Sequence, residues 1–141
     1  MKKDTSALEQ ELKSFNNFEA FYNENNESIG DISLSECLNE IIESKNLSKS
    51  EIIEKSQMNE IYAYQIMSGV KKKPTRNKVL CLAVAMNLTF EEVQNLLKKS
   101  GYPTLYAKKP FDCIIIYGLC NKMNVVEINE LLFDYDMETL G

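Results

Sequence analysis

Histidine and tryptophan are absent from this 141-residue chain, proline occurs three times and glycine five times, and no two of the four cysteines form a Cys-x-x-Cys pair. Each absence excludes something. Without histidine there is no Ser-His or Cys-His nucleophile arrangement, and the commonest general base is missing. Cys37, Cys81, Cys113 and Cys120 then lack the partners and spacing of a zinc site and read as buried free thiols in apolar helical patterns. No apolar run approaches the ~20 residues of a membrane helix. The opening Met1 to Glu11 lacks the apolar core of a secretory signal. The expectation is a cytoplasmic protein with no membrane segment, no metal, no cofactor and no enzymatic activity. Carboxylates such as Glu91 and Glu92 sit where a helix start favours negative charge, so they do not suggest a catalytic pair.

What is present is a 44% hydrophobic composition, sufficient for one real core, and an uneven charge distribution under a net −5. Residues 1 to 31 carry three Lys against seven Asp or Glu, and residues 32 to 44 add three Glu. Residues 45 to 78 reverse this, with eight Lys or Arg against three Glu, a local +5. Residues 79 to 141 return to −3. A basic stripe on an acidic chain is the footprint of a phosphate-binding surface. Taken alone, Lys71 to Lys73 would read as a solvated loop.

Helical periodicity runs through most of the chain. Leu8, Leu12, Phe15, Phe18 and Tyr22 recur at helical spacing but are interrupted by Asn16 and Asn17, predicting an acidic arm over 1–31 with one amphipathic helix and scope for mobility. Leu34, Cys37, Leu38, Ile41 and Ile42 form one apolar face of a first domain helix. Ser48 with Glu51 reads as a capping box opening a second helix, Asn59 caps a third that stops at Gly69, and Thr75 caps a fourth. Thr89 with Glu92 opens a fifth, ending at Gly101. After a connector at Tyr102 to Tyr106, Pro110 starts an almost wholly apolar helix to Cys120, and Asn124 caps a last one. The Ile114 to Ile116 triplet also admits a strand, against which the surrounding helices argue.

The order of Leu47-Ser48-x-x-Glu51-Ile52, then Ile66-x-x-Gly69 with basic residues and Pro74, then Lys78 to Thr89 with its glutamate-rich sequel, resembles the DNA-binding domain of Cro and lambda-repressor type regulators. The resemblance covers roughly residues 34 to 100, about half the chain. It implies an all-α fold: a five-helix helix-turn-helix domain over 32–101, with a C-terminal helical pair over 102–141 that packs on the core or dimerises. The chain departs from the pattern at Ile53, where a small residue is usual, and at Gln57, where the turn usually has glycine. A left-handed Gln57 would cost ~1 kcal/mol relative to glycine, so either the turn differs or packing compensates.

The implied function is a transcriptional regulator binding specific double-stranded DNA. The third domain helix, about 60–68, would present Glu60, Ile61, Tyr64 and Gln65 to base edges, Gln65 suiting adenine and Ile61 a thymine methyl. Phosphates would be held by Lys49, Ser68, Lys71, Lys72, Lys73, Arg76 and Lys78. The family's two-fold sites imply a homodimer, for which the apolar helix offers Phe111, Ile114 and Tyr117. The alternative is a protein-interaction module, because tyrosine, isoleucine and glutamine on one exposed helix face also suit a protein partner.

Overall fold

The computed structural model describes residues 3–25 and 33–141, and among these the regular elements are nine α-helices with no strand. The chain divides into two compact units, residues 1–31 and 32–141. The first contains α1 (Thr5–Ser14) and α2 (Phe18–Asn25), two helices where periodicity predicts one. The break falls at Phe15 to Asn17, and Asn17 explains it: its Oδ1 accepts from the Ala20 N–H and starts a new helix. Phe15, at the end of α1, packs edge-on against Phe21 of α2. Residues 26–31 of the predicted arm lie outside the described residues.

The second unit contains α3 (Leu34–Ser44), α4 (Lys49–Ser56), α5 (Glu60–Ser68), α6 (Arg76–Ala85), α7 (Phe90–Lys99), α8 (Pro110–Cys120) and α9 (Val125–Asp134). α6 is central, with every residue from Val79 to Ala85 buried. It packs on α4 and α9, while α3 packs on α5 and α7, and α8 on α7 and α9. One continuous core results, from Leu38 and Ile66 through Leu80 and Leu97 to Ile115, Ile128 and Leu132. Ile114 to Ile116 lie in the helix α8. α8 and α9 approach closely because residue 118 is glycine: a Cβ there would stand 2.6 Å from Ile128 Cδ1.

Local chemistry sets the helix ends. The Thr89/Glu92 and Asn124/Glu127 boxes are fully reciprocal. At α4 the bond made is from the Glu51 N–H to Ser48 Oγ, at 3.4 Å. Thr75 stands at the α6 N-cap without a side-chain cap bond. Asn46, Asn87, Gly101, Lys122 and Asp136 all have positive φ, turning the chain out of α3, α6, α7, α8 and α9. No helix among the described residues is long and apolar enough to cross a membrane.

Candidate functional site

α4 and α5 are joined through Gln57, Met58 and Asn59. Gln57 is left-handed, φ 61° and ψ 15°, and its Nε2 donates to the Glu54 carbonyl at 3.0 Å. The turn is therefore built with glutamine in the conformation that glycine favours, and a buried serine secures it. Ser56 Oγ donates to the Ile53 carbonyl at 2.6 Å and accepts from the Met58 N–H at 3.2 Å. The Ser56 carbonyl accepts from the Cys81 thiol of α6 at 3.0 Å. Burial pushes that thiol up to about 11, only partly offset by Lys78, so it stays protonated and able to donate at neutral pH.

α5 is oriented from both ends. Asn59 Oδ1 accepts from the Tyr62 N–H at 3.0 Å, and Gly69, φ 89°, ends the helix. A Cβ on Gly69 would stand 3.1 Å from Ser35 Oγ, so the glycine answers both conformation and space. Asn39 of α3 donates to the carbonyls of Ser35 at 2.8 Å and Met67 at 2.9 Å, fixing α5 to α3. Ala63, Ile66 and Met67 are buried. Glu60, Ile61, Tyr64 and Ser68 are exposed on the opposite face, Ile61 at 70% and Tyr64 at 40%, with Gln65 half-buried beside them.

The basic segment is less free than its composition implies. Arg76 donates through Nη1 and Nη2 to both carboxylate oxygens of Asp112, each at 2.9 Å, and through Nε and Nη2 to the carbonyls of Pro103 and Thr104. Lys73 Nζ donates to the Ser100 and Gly101 carbonyls beyond the end of α7 and stands 4.2 Å from the centre of the Tyr102 ring. Lys78 Nζ lies 5.0 Å from the Tyr62 ring centre, and Lys45 pairs with Glu92 at 2.8 Å. Arg76 and Lys73, expected at phosphates, thus hold the connector after α7 in place. Their partners are a buried carboxylate and carbonyls that sequence spacing does not reveal. Lys49, Lys71 and Lys72 are exposed at the two ends of the helix pair, Lys49 opening α4 and the others following Gly69. Ser68 is exposed, its hydroxyl donating to the Gln65 carbonyl at 3.3 Å.

Of the residues expected at a dimer contact, Phe111 and Ile114 are half-buried against the core, whereas Tyr117 is 56% exposed. No group of three or more metal-ligating side chains occurs among the described residues. Compared with protein-family models, curated proteins and solved structures, the chain matches none of them.

Proposed function

We propose that α3 to α7 form a helix-turn-helix domain of the Cro and lambda-repressor type, and that the protein regulates transcription by binding double-stranded DNA with α5 in the major groove. The observation that carries the reading is the two-faced α5. Ala63, Ile66 and Met67 anchor it, while Glu60, Ile61, Tyr64 and Gln65 lie on the other side. Lys49 at one end of the pair, and Lys71, Lys72 and Ser68 at the other, supply the phosphate contacts. Lys73 and Arg76 leave the phosphate set because their side chains bond within the fold, and Lys78 because its ammonium lies over the Tyr62 ring. A homodimer on a two-fold site completes the reading, with Tyr117 the exposed member of the α8 contact. Selection from random duplexes followed by footprinting tests it. A recovered sequence with protected half-sites one helical turn apart supports the reading, and no retarded duplex at low salt removes it.

A second reading is protein contact through α5. It is favoured by the exposure of Ile61, Tyr64 and Val70 together, an apolar content that suits a protein partner. Retention of a partner by the wild type and not by Ile61→Asp, with no DNA bound by either, would select it.

A further inference from the structure

We infer a docking site for a partner protein on the seam where the α4–α5 turn meets α9, with a basic amphipathic segment as its occupant. Two clefts meet at Gln57. One, about 490 Å³, is lined by Ile53, Met58 and Tyr64 with the carboxylates of Glu54 and Glu60. The other, about 400 Å³, is lined by Val126 and Phe133 with Glu130 and Asp134. No lysine or arginine lines either cleft, so four carboxylates face the opening without a cation among the lining residues. Phe133 is 75% exposed, the most exposed large hydrophobic residue of the described chain, and Val126 lies one helical turn from Glu130 on the same helix.

Charge and apolarity together define the occupant. A second cleft-bearing surface of the same kind would set carboxylate against carboxylate, which disfavours a second copy through this face. On the α9 side of the seam, Glu130 and Asp134 disfavour nucleic acid. A segment with lysine or arginine on one side and aliphatic side chains on the other would place its apolar residues against Phe133, Val126 and Tyr64 and its cations beside the four acids. Glu60 and Tyr64 also belong to the face proposed for DNA, so an occupied seam excludes duplex from α5. That consequence rests on the DNA reading; the docking itself does not.

The test uses the full chain and a synthetic amphipathic helical peptide of leucine and lysine, with a leucine–glutamate analogue as control, followed by amide chemical shifts and by anisotropy. The expected result is saturable binding of the basic peptide alone, with shifts centred on residues 53–64 and 126–134. Affinity should fall at least about ten-fold in Phe133→Ser and in Glu130→Lys with Asp134→Lys, all exposed positions whose change leaves the fold intact. DNA retardation by Phe133→Ser, which changes no charge, should match wild type, which separates failure of this site from failure of the DNA reading. Shifts spread over the other acidic surfaces, or equal binding by the variants, would overturn the proposal. So would a concentration-dependent dimer that Phe133→Ser abolishes, because the face would then belong to a second copy.

Discussion

Arg76 and Asp112, thirty-six residues apart, meet as a two-pronged ion pair with both N···O distances at 2.9 Å, and their side chains are 21% and 3% exposed. Asp112 Oδ2 also accepts from the Tyr106 N–H at 2.9 Å. The pair therefore joins α6 to α8 and holds the connector between them. Burial alone would raise the Asp112 pKa; the Arg76 hydrogen bonds, the Tyr106 N–H and the nearby charges of Arg76 and Lys109 outweigh it and hold the carboxyl below the ordinary range.

The two partners are not equivalent, which gives the first prediction. Arg76→Ala leaves a buried carboxylate unpaired and should cost ~3 kcal/mol or more, whereas Asp112→Asn leaves Arg76 its two carbonyl acceptors and should cost less. Urea unfolding of the two single variants and the double would show the order and the coupling. Because the folded pKa of Asp112 is depressed, its stabilisation is present above the ordinary carboxylate pKa and is lost as pH falls through the lowered value. The pH profile of wild-type stability should drop below about pH 4 more steeply than that of Asp112→Asn.

The division of the cations predicts a salt dependence. If Lys49, Lys71 and Lys72 alone meet phosphates, the log–log slope of DNA affinity against salt should be ~−2.7 for each copy, against ~−5.4 if Lys73, Arg76 and Lys78 joined them. Lys72→Glu should weaken all duplex sequences alike without changing the melting temperature. Lys73→Glu should lower the melting temperature, since Lys73 binds the Ser100 and Gly101 carbonyls. Retardation assays at several salt concentrations, beside thermal melts, check both.

The reading of helices from sequence held for most local roles, though Thr75 makes no side-chain cap bond and Asn17 starts a second helix where one is expected. Asn59, Thr89 and Asn124 cap helices within three residues of themselves, and the apolar faces of α3, α5 and α7 follow from their own spacing. It failed where the partner is distant. No local pattern marks Asp112, Asn39 or Ser56, and Tyr102 reads as a connector residue. Their partners, Arg76, Met67, Cys81 and Pro74, are 36, 28, 25 and 28 residues away. The same distance effect applies to Lys73 and Arg76: a side chain's charge is visible in sequence, but the carbonyl it meets in the fold is not.

Gln57 offers a stability test of the turn. A glutamine at φ 61° carries the left-handed cost, partly offset by its side-chain bond to the Glu54 carbonyl. Gln57→Gly removes the steric term but increases the entropy of the unfolded chain, so a net gain of at most ~1 kcal/mol is expected. Gln57→Val, a β-branched residue with no such bond, should destabilise by more than Gly stabilises. Chemical denaturation midpoints of the three proteins give the comparison.

Thiol reactivity tests the placement of the cysteines. Cys113 and Cys120 are exposed on α8, while Cys37 and Cys81 are buried. Two thiols should therefore react promptly with an aromatic disulfide reagent at neutral pH, and two only after denaturant is added. Cys81 should gain little from mild alkali, because its pKa is raised to about 11 and its proton is engaged by the Ser56 carbonyl. Labelling followed by peptide mass analysis assigns the order; rapid modification of Cys81 in the native protein would contradict the packing of α6 against the turn.

Gly118 provides the sharpest test of how the C-terminal helices join the core. Glycine inside a helix ordinarily costs stability, so Gly→Ala at an exposed helical site should gain ~1 kcal/mol. At 118 the added methyl would meet Ile128 Cδ1 and Cγ1, each 2.6 Å away, in a tightly packed interior. Gly118→Ala should therefore reverse the usual sign and destabilise by ~1–3 kcal/mol. Shortening the obstructing side chain should relieve it: Gly118→Ala with Ile128→Val should be more stable than the sum of the two single effects. Because α8 and α9 share the core of α3 to α7, unfolding of every variant should remain one transition. A gain in stability from Gly118→Ala, or an early separate loss of α8 and α9, would contradict their shared packing.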